Sequence, residues 1–209
     1  MPIKKSNSKP KKLYLVDEKK KKGFLKYLSG RQKDVYEEFY KELTDTAEND
    51  NIDIIMTTDG GEALWCSKIC YVLKNRTGKS RVFVKSYAHS AGTIIALAAN
   101  ELYITYDTTF SAIDAQGPPF VDLIQTSIQK LDKLVQDPRK AFIEISKERA
   151  YYFRHMVEKN LNTELHNRDL IMKIMHDETP LHEQLFFRED MDNLGIKYKL
   201  WDGKNIPDC

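Results

Sequence analysis

The stretch "RVFVKSYAHSAGTIIALAANELYI" (81–104) decides the reading of this chain. It opens with "RVFVKSY" (81–87), β-branched and aromatic as a strand is, and closes on a second strand pattern, "ELYITY" (101–106). Between them, "AGTIIALAAN" (91–100) is small and apolar on every side, the mark of a helix enclosed by other elements. His89 and Ser90 stand where the first strand gives way to that helix. A serine there suits a helix N-cap, because its hydroxyl accepts a bond from an unpaired backbone N–H. The same place, at the end of a strand in an open parallel sheet, is where such sheets carry their ligand sites.

Working outward, the pattern repeats. "IDIIMTT" (52–58) is short, apolar and β-branched, and it runs into "DGG" (59–61). "EALWCSKICYVLKNR" (62–76) has helical period, with Gly78 as its stop. Before it, "RQKDVYEEFYKELTDTA" (31–47) puts Val35, Phe39 and Leu43 on one amphipathic stripe. After it, "FSAID" (110–114) is one more short strand. Strands alternating with helices predict an α/β fold with a mostly parallel sheet. Past Gly117 the chain turns helical: Ile124, Ile128, Leu131 and Val135 form a stripe, and Pro138 is suited to open a helix reaching about Lys159. A further helix is expected within 166–176, then helix, turn and a final strand in "EQLFFREDMDNLGIKYKLW" (183–201). No repeat or long linker interrupts this order.

A chain of 209 residues, 41% hydrophobic, can build a real core and predicts one domain, residues 27–209. Residues 1–26 hold ten lysines against Asp17 and Glu18, a net +8 that leaves −6 for the rest. That composition predicts a disordered basic tail able to touch nucleic acid or anionic lipid. No apolar signal core opens the chain, and "TIIALAAN" is too short to cross a bilayer, so no membrane span is expected. Three cysteines, Cys66, Cys70 and Cys209, make no disulfide framework, which points to a reducing, cytoplasmic setting. Cys66 and Cys70 stand four apart, as packing neighbours on one helical face.

Two strand-to-helix junctions are thus equivalent. Gly60 and Gly61 leave backbone N–H groups free to point into a cleft, and Ser90 is followed by Ala91 and Gly92, which let a carbonyl come close. A hydroxyl beside backbone N–H groups is what acyl transfer requires: a nucleophile and an oxyanion hole. "AHSAG" is a loose relative of the Gly-x-Ser-x-Gly elbow, with Ala88 in the place of the first glycine. The ordered set "TTDGGEAL", "YAHSAGTIIALAANELYI" and "FSAIDAQ", with a return at "HDETPLHEQLFFREDMDNLGI" (176–196), resembles the Clp-type serine peptidases of the Clp/crotonase fold. The nearest branch holds the signal peptide peptidase SppA and the archaeal serine dehydrogenase proteinases.

The resemblance implies a Clp/crotonase-like fold of ββα units with a helical C-terminal part, peptide or protein substrates, no cofactor or metal, and a homo-oligomer. It makes Ser90 the nucleophile and draws the oxyanion hole from Gly61, Ala91 and Gly60. It also implies a downstream lysine as general base: of Lys130, Lys133, Lys140 and Lys147, the context "SKERAYYFRHM" (146–156) favours Lys147, with Lys140 the alternative seven residues earlier. The departures are Asp59 where the family has proline, and "SAIDAQ" (111–116), which puts Asp114 near the histidine position of Clp proteases. His89 adjoins Ser90, so their side chains should diverge, and His89 should support the rear of the site. His176, Asp177 and His182 form the remaining polar cluster, a weak metal signal, with His176 an outside candidate for the base. Two other classes share these features: an inactive Clp-fold scaffold, and a crotonase-type acyl-CoA enzyme, which would need no nucleophile at the helix start.

Overall fold

Among the described residues the chain enters its sheet before its first helix. In the computed structural model, which describes residues 9–16, 35–113, 151, 154–164, 166–177 and 184–207, strand β1 (Lys11–Val16) pairs in parallel with β2 (Ile52–Thr58). For Lys11–Val16 this corrects the expectation of a disordered tail; residues 1–8 and 17–26 lie outside the described residues. Leu13 and Leu15 are fully buried while Lys12, Tyr14 and Val16 face away from that core. Burying two leucines favours the strand by about 3–6 kcal/mol. The lysines oppose this little, because an exposed strand face keeps them in water, and Lys11 Nζ reaches Thr46 Oγ1 at 2.9 Å.

Helix α1 (Val35–Thr44) follows, and its buried side carries Tyr36, Phe39 and Leu43. The stripe expected on Val35 is therefore rotated: Val35 is half-buried and Tyr36 is in the core. Helix α2 (Ala63–Asn75) buries Cys66, Ile69, Cys70 and Leu73, and β3 (Ser80–Ala88) leads into α3 (Ala91–Ala98), whose eight residues are all buried. Strands β4 (Glu101–Ile104) and β5 (Thr109–Ser111) complete the part that the sequence predicted in order. The later chain is helical at 154–160, forms α4 (Arg168–Ile171) and widens into a π-helix (Met172–Asp177). It then adds β6 (Leu185–Phe186), α5 (Arg188–Asn193) and β7 (Lys199–Leu200). The stripe Ile124–Val135 and the helix start at Pro138 lie outside the described residues.

The sheet order is β1-β2-β3-β4-β7, parallel throughout, with β5 on β3 and β6 antiparallel to β5. This is the α/β architecture expected, and one irregularity in it sets up the site. From Met56 to Thr58 β2 advances two residues, while its partners on β3 run from Val84 to Ala88. The surplus is a bulge. Up to Val84, β3 is paired with β4; from Tyr87 it is paired with β5. Side chains satisfy the carbonyls released at the change of partner: Thr108 Oγ1 and Trp201 Nε1 donate to Val84 O at 3.2 and 3.4 Å, and Thr105 Oγ1 to Lys85 O at 3.0 Å. The bulge thereby bends the end of β3, carrying His89 and Ser90, out of register with β4.

The opposite end of the sheet is held by charge. Arg81 grips Asp53 through two bonds (Nε–Oδ1 2.7 Å, Nη2–Oδ2 2.8 Å), and its third nitrogen donates to Pro207 O at 2.9 Å. Both side chains are buried, and such a pair is tolerated there because its geometry is bidentate and every guanidinium nitrogen has an oxygen partner. Farther along, His166 is buried with Nδ1 accepting from the Lys197 N–H at 3.3 Å. Burial first, and the charge of Lys197 second, lower its pKa to about 4, so it is neutral near pH 7.

Candidate active site

Ser90 is the non-glycine residue with positive φ among the described residues, at φ 49° and ψ −114°. A side chain with a Cβ is strained there, at a cost of about 1–3 kcal/mol. Its hydroxyl makes no capping bond to α3, which corrects the expectation that it would also serve as N-cap. The sharp strand-to-helix turn has the kind of strained backbone that a nucleophile elbow requires.

The strain is held by bonds from three directions. The N–H of His89 donates to Thr58 O at 2.9 Å, the N–H of Ser90 to Ser111 Oγ at 2.9 Å, and the N–H of Gly92 back to His89 O at 2.8 Å. Thr93 Oγ1 then ties Ala88 O (2.7 Å) to Ser111 O (3.2 Å), so the residues before and after the elbow are fixed to β5. The His89 ring has its Nε2 3.2 Å from Thr109 Oγ1 and its face against Tyr87, with ring centroids 4.9 Å apart.

The glycine pair abuts this elbow. Gly60 has φ +110°, and a Cβ placed on it would stand 3.0 Å from both His89 O and the Cβ of Ser90. Only glycine allows both that backbone conformation and that approach. Its N–H, however, donates to Thr58 Oγ1 at 3.1 Å. Gly60 therefore differs from its expected part in the oxyanion hole: it supplies proximity rather than a donor. Gly61 is exposed, with its Cα against the Tyr36 ring, where a Cβ would come within 2.5 Å of Cδ2. Among the described residues, the N–H groups of Gly61 and Ala91 have no hydrogen-bond partner. Ala91 is also the first residue of α3, where the helix presents its positive end. Below it, Cys66 Sγ lies 3.6 Å from Ala91 O, and Cys66 and Cys70 are both fully buried in the core; burial, with Cys66 adding to it, pushes the Cys70 thiol well up.

The structure thus brings Ser90, Gly60 and Ala91 together, with Gly61 continuing the same turn. Lys130, Lys133, Lys140, Lys147, Asp114 and His182 lie outside the described residues, and His176 and Asp177 occupy the last turn of the π-helix. Among the described residues no group of three His, Cys, Asp or Glu side chains is gathered to hold a metal, and no helix is long and apolar enough to cross a membrane. Sequence reasoning missed Tyr36, Thr58 and Ser111. Tyr36 was legible as the residue three before Phe39 and seven before Leu43, the period of a buried face.

Comparison with known proteins agrees with this fold. The chain is 33% identical over 113 residues to the Methanocaldococcus jannaschii protein MJ1495, and 34% identical over 80 residues to MJ0137 of that organism. These alignments span 53% and 38% of this chain but 38% and 28% of the relatives' own length. Among solved structures, a lysine-to-alanine variant of the 1510-N membrane-bound stomatin-specific protease in complex with a substrate peptide shares the fold at a TM-score of 0.51 and 17% identity, over 80% of this chain and 68% of that one. An asparagine-to-aspartate variant of ClpP1 from Listeria monocytogenes does so at 0.50 and 15%, over 81% and 86%. The family is carried by sequence: residues 30–204 match the ClpP-like SDH-type serine proteinases, and the chain belongs to that family.

Proposed function

We propose that the protein is a serine peptidase in which Ser90 is the nucleophile and the N–H groups of Gly61 and Ala91 form the oxyanion hole. The observation that carries this reading is the strained backbone of Ser90, held by Thr58, Ser111 and Thr93 while its hydroxyl makes no capping bond. A residue that served only structure would relax. Ser90 Oγ attacks the scissile carbonyl carbon as its proton passes to a general base, and the carbonyl oxygen gains negative charge that two N–H donors stabilise. The C–N bond then breaks, the amine leaves with the proton from the base, and water hydrolyses the acyl-serine by the same route. We assign the base to Lys147, with Lys140 the alternative, on the resemblance of "SKERAYYFRHM" to the SppA-like branch. Such a lysine must be desolvated to be neutral near pH 7, and enclosure by a second copy in a homo-oligomer would supply that.

A scaffold without activity has no use for the strain, and a crotonase-type enzyme has none for the hydroxyl. The test is covalent labelling of the full chain by an alkyl fluorophosphonate. Ser90 is expected to carry the adduct, Ser90→Ala to abolish it with the fold intact, and Lys147→Ala to slow it by orders of magnitude. An unlabelled Ser90 in the assembled protein would refute the peptidase.

A further inference from the structure

The Gly60–Gly61 turn and the Ser90 elbow belong to different junctions, and one pair of buried side chains lies between them. Tyr36 OH and Thr58 Oγ1 are 2.9 Å apart, and both residues are almost fully enclosed. Thr58 Oγ1 also accepts the Gly60 N–H at 3.1 Å, while the main-chain oxygen of Thr58 accepts the N–H of His89 at 2.9 Å. One residue therefore holds the glycine turn by its side chain and the elbow by its backbone. The contacts continue on both sides. The Tyr36 ring is so close beneath Gly61 that a Cβ would stand 2.5 Å from it, and a Cβ on Gly92 would stand 2.5 Å from Thr58 Cγ2 and 3.7 Å from Tyr36 OH. Ring, hydroxyls and methyl fill the space under all the groups that must be mutually spaced.

We infer that Tyr36 and Thr58 are positioning residues of this site: together they set the distance of the Gly61 N–H from Ser90 Oγ and the Ala91 N–H. This rests on the serine peptidase reading above. Neither residue is required to touch substrate. Oxyanion donors act only when aimed at the place where charge develops, and a misplacement near 1 Å costs about a hundredfold in rate. Tyr36→Phe keeps the ring under Gly61 and removes the hydroxyl that ties it to Thr58. Thr58→Val keeps the shape against Gly92 but also strips the Gly60 N–H of its acceptor. Thr58→Ser restores the hydroxyl and gives up the methyl.

The experiment follows the rate of fluorophosphonate labelling of the full chain against pH, with thermal melts to confirm folding. Labelling is expected to slow about tenfold for Tyr36→Phe and about a hundredfold for Thr58→Val, and to recover to within about threefold for Thr58→Ser. The midpoint of the pH–rate profile should stay where it is, because the base is untouched; a purely structural loss of folded protein would cut the labelled fraction and leave the rate constant alone. Native labelling rates in folded Tyr36→Phe and Thr58→Val would overturn the inference while leaving the peptidase standing. Thr58→Ser as slow as Thr58→Val would also overturn it, because restoring the hydroxyl would then not restore the rate. If the unsubstituted chain is not labelled at Ser90, the peptidase reading falls and this inference with it.

Discussion

Replacing Ser90 by glycine should make the protein more stable, and replacing it by alanine should leave stability almost unchanged. The backbone at φ 49°, ψ −114° is strained for any residue with a Cβ, at about 1–3 kcal/mol. Glycine removes that strain but adds about 0.5–1 kcal/mol of unfolded-state entropy to be lost on folding. The net expectation is a gain of about 1 kcal/mol, which for a chain of 209 residues raises the melting midpoint by about 2–4 °C. Alanine keeps the strain and loses only a hydroxyl that caps nothing, so its change should be below about 0.5 kcal/mol. Were the serine an ordinary N-cap, both substitutions would destabilise, alanine by about 1 kcal/mol and glycine by a few tenths. Calorimetry of the three proteins at one pH and concentration decides it. A Ser90→Ala variant losing 1 kcal/mol or more, or a Ser90→Gly variant less stable than the unsubstituted protein, would refute the strain argument. Both variants should fail to label with fluorophosphonate, so a stabilised Ser90→Gly protein would be an exchange of activity for stability.

Three further outcomes follow from the scaffold. Leu13→Ala should cost about 2–5 kcal/mol in urea unfolding, because Leu13 is fully buried on β1, whereas Tyr14→Ala on the exposed face should cost under about 1. Asp53→Asn should lose about 3–5 kcal/mol by leaving the buried Arg81 guanidinium without its counter-charge, and Arg81→Lys should not rescue it. His166 has a folded pKa lowered from 6.5 to about 4, so the neutral form is the one that folds; stability is complete above pH 6.5 and falls as pH drops toward 4, by about 3 kcal/mol in all. Urea midpoints at pH 7 and pH 4.5 should converge for His166→Leu relative to the unsubstituted protein, and equal pH slopes would refute the assignment.

What the sequence disclosed and what it concealed divide along the range of the interactions involved. The strands and helices between 52 and 111 were legible because each depends on local signals: β-branched runs, a small-residue helix, glycine at the turns. Strand β1 was not, since a tail of ten lysines outweighs "LYLV" in any compositional window, although burial is decided residue by residue at Leu13 and Leu15. The rotated face of α1 has a similar cause. Val35 and Tyr36 both fit an apolar period, and only the approach of the ring to Gly61 selects Tyr36.

The site makes the same point in chemical terms. Ser90, Gly60 and Gly61 could be picked out as residues, because a nucleophile and its donors have type and spacing. Their arrangement could not, because it is made by side chains that no motif contains. Ser111 reaches the elbow from 21 residues away, and Tyr36 reaches Thr58 from 22. Thr93 bonds both the residue two before Ser90 and the strand beyond. All are buried hydroxyl groups bonded to backbone or to one another, and each would cost about 1–3 kcal/mol if left unpaired. That cost is what holds the serine against its strain: relaxing φ at Ser90 would break the bond from its N–H to Ser111 Oγ and leave that donor without its acceptor. The residues that give the elbow its geometry therefore read, in sequence, as ordinary threonine, serine and tyrosine, and only their convergence marks them as part of the site.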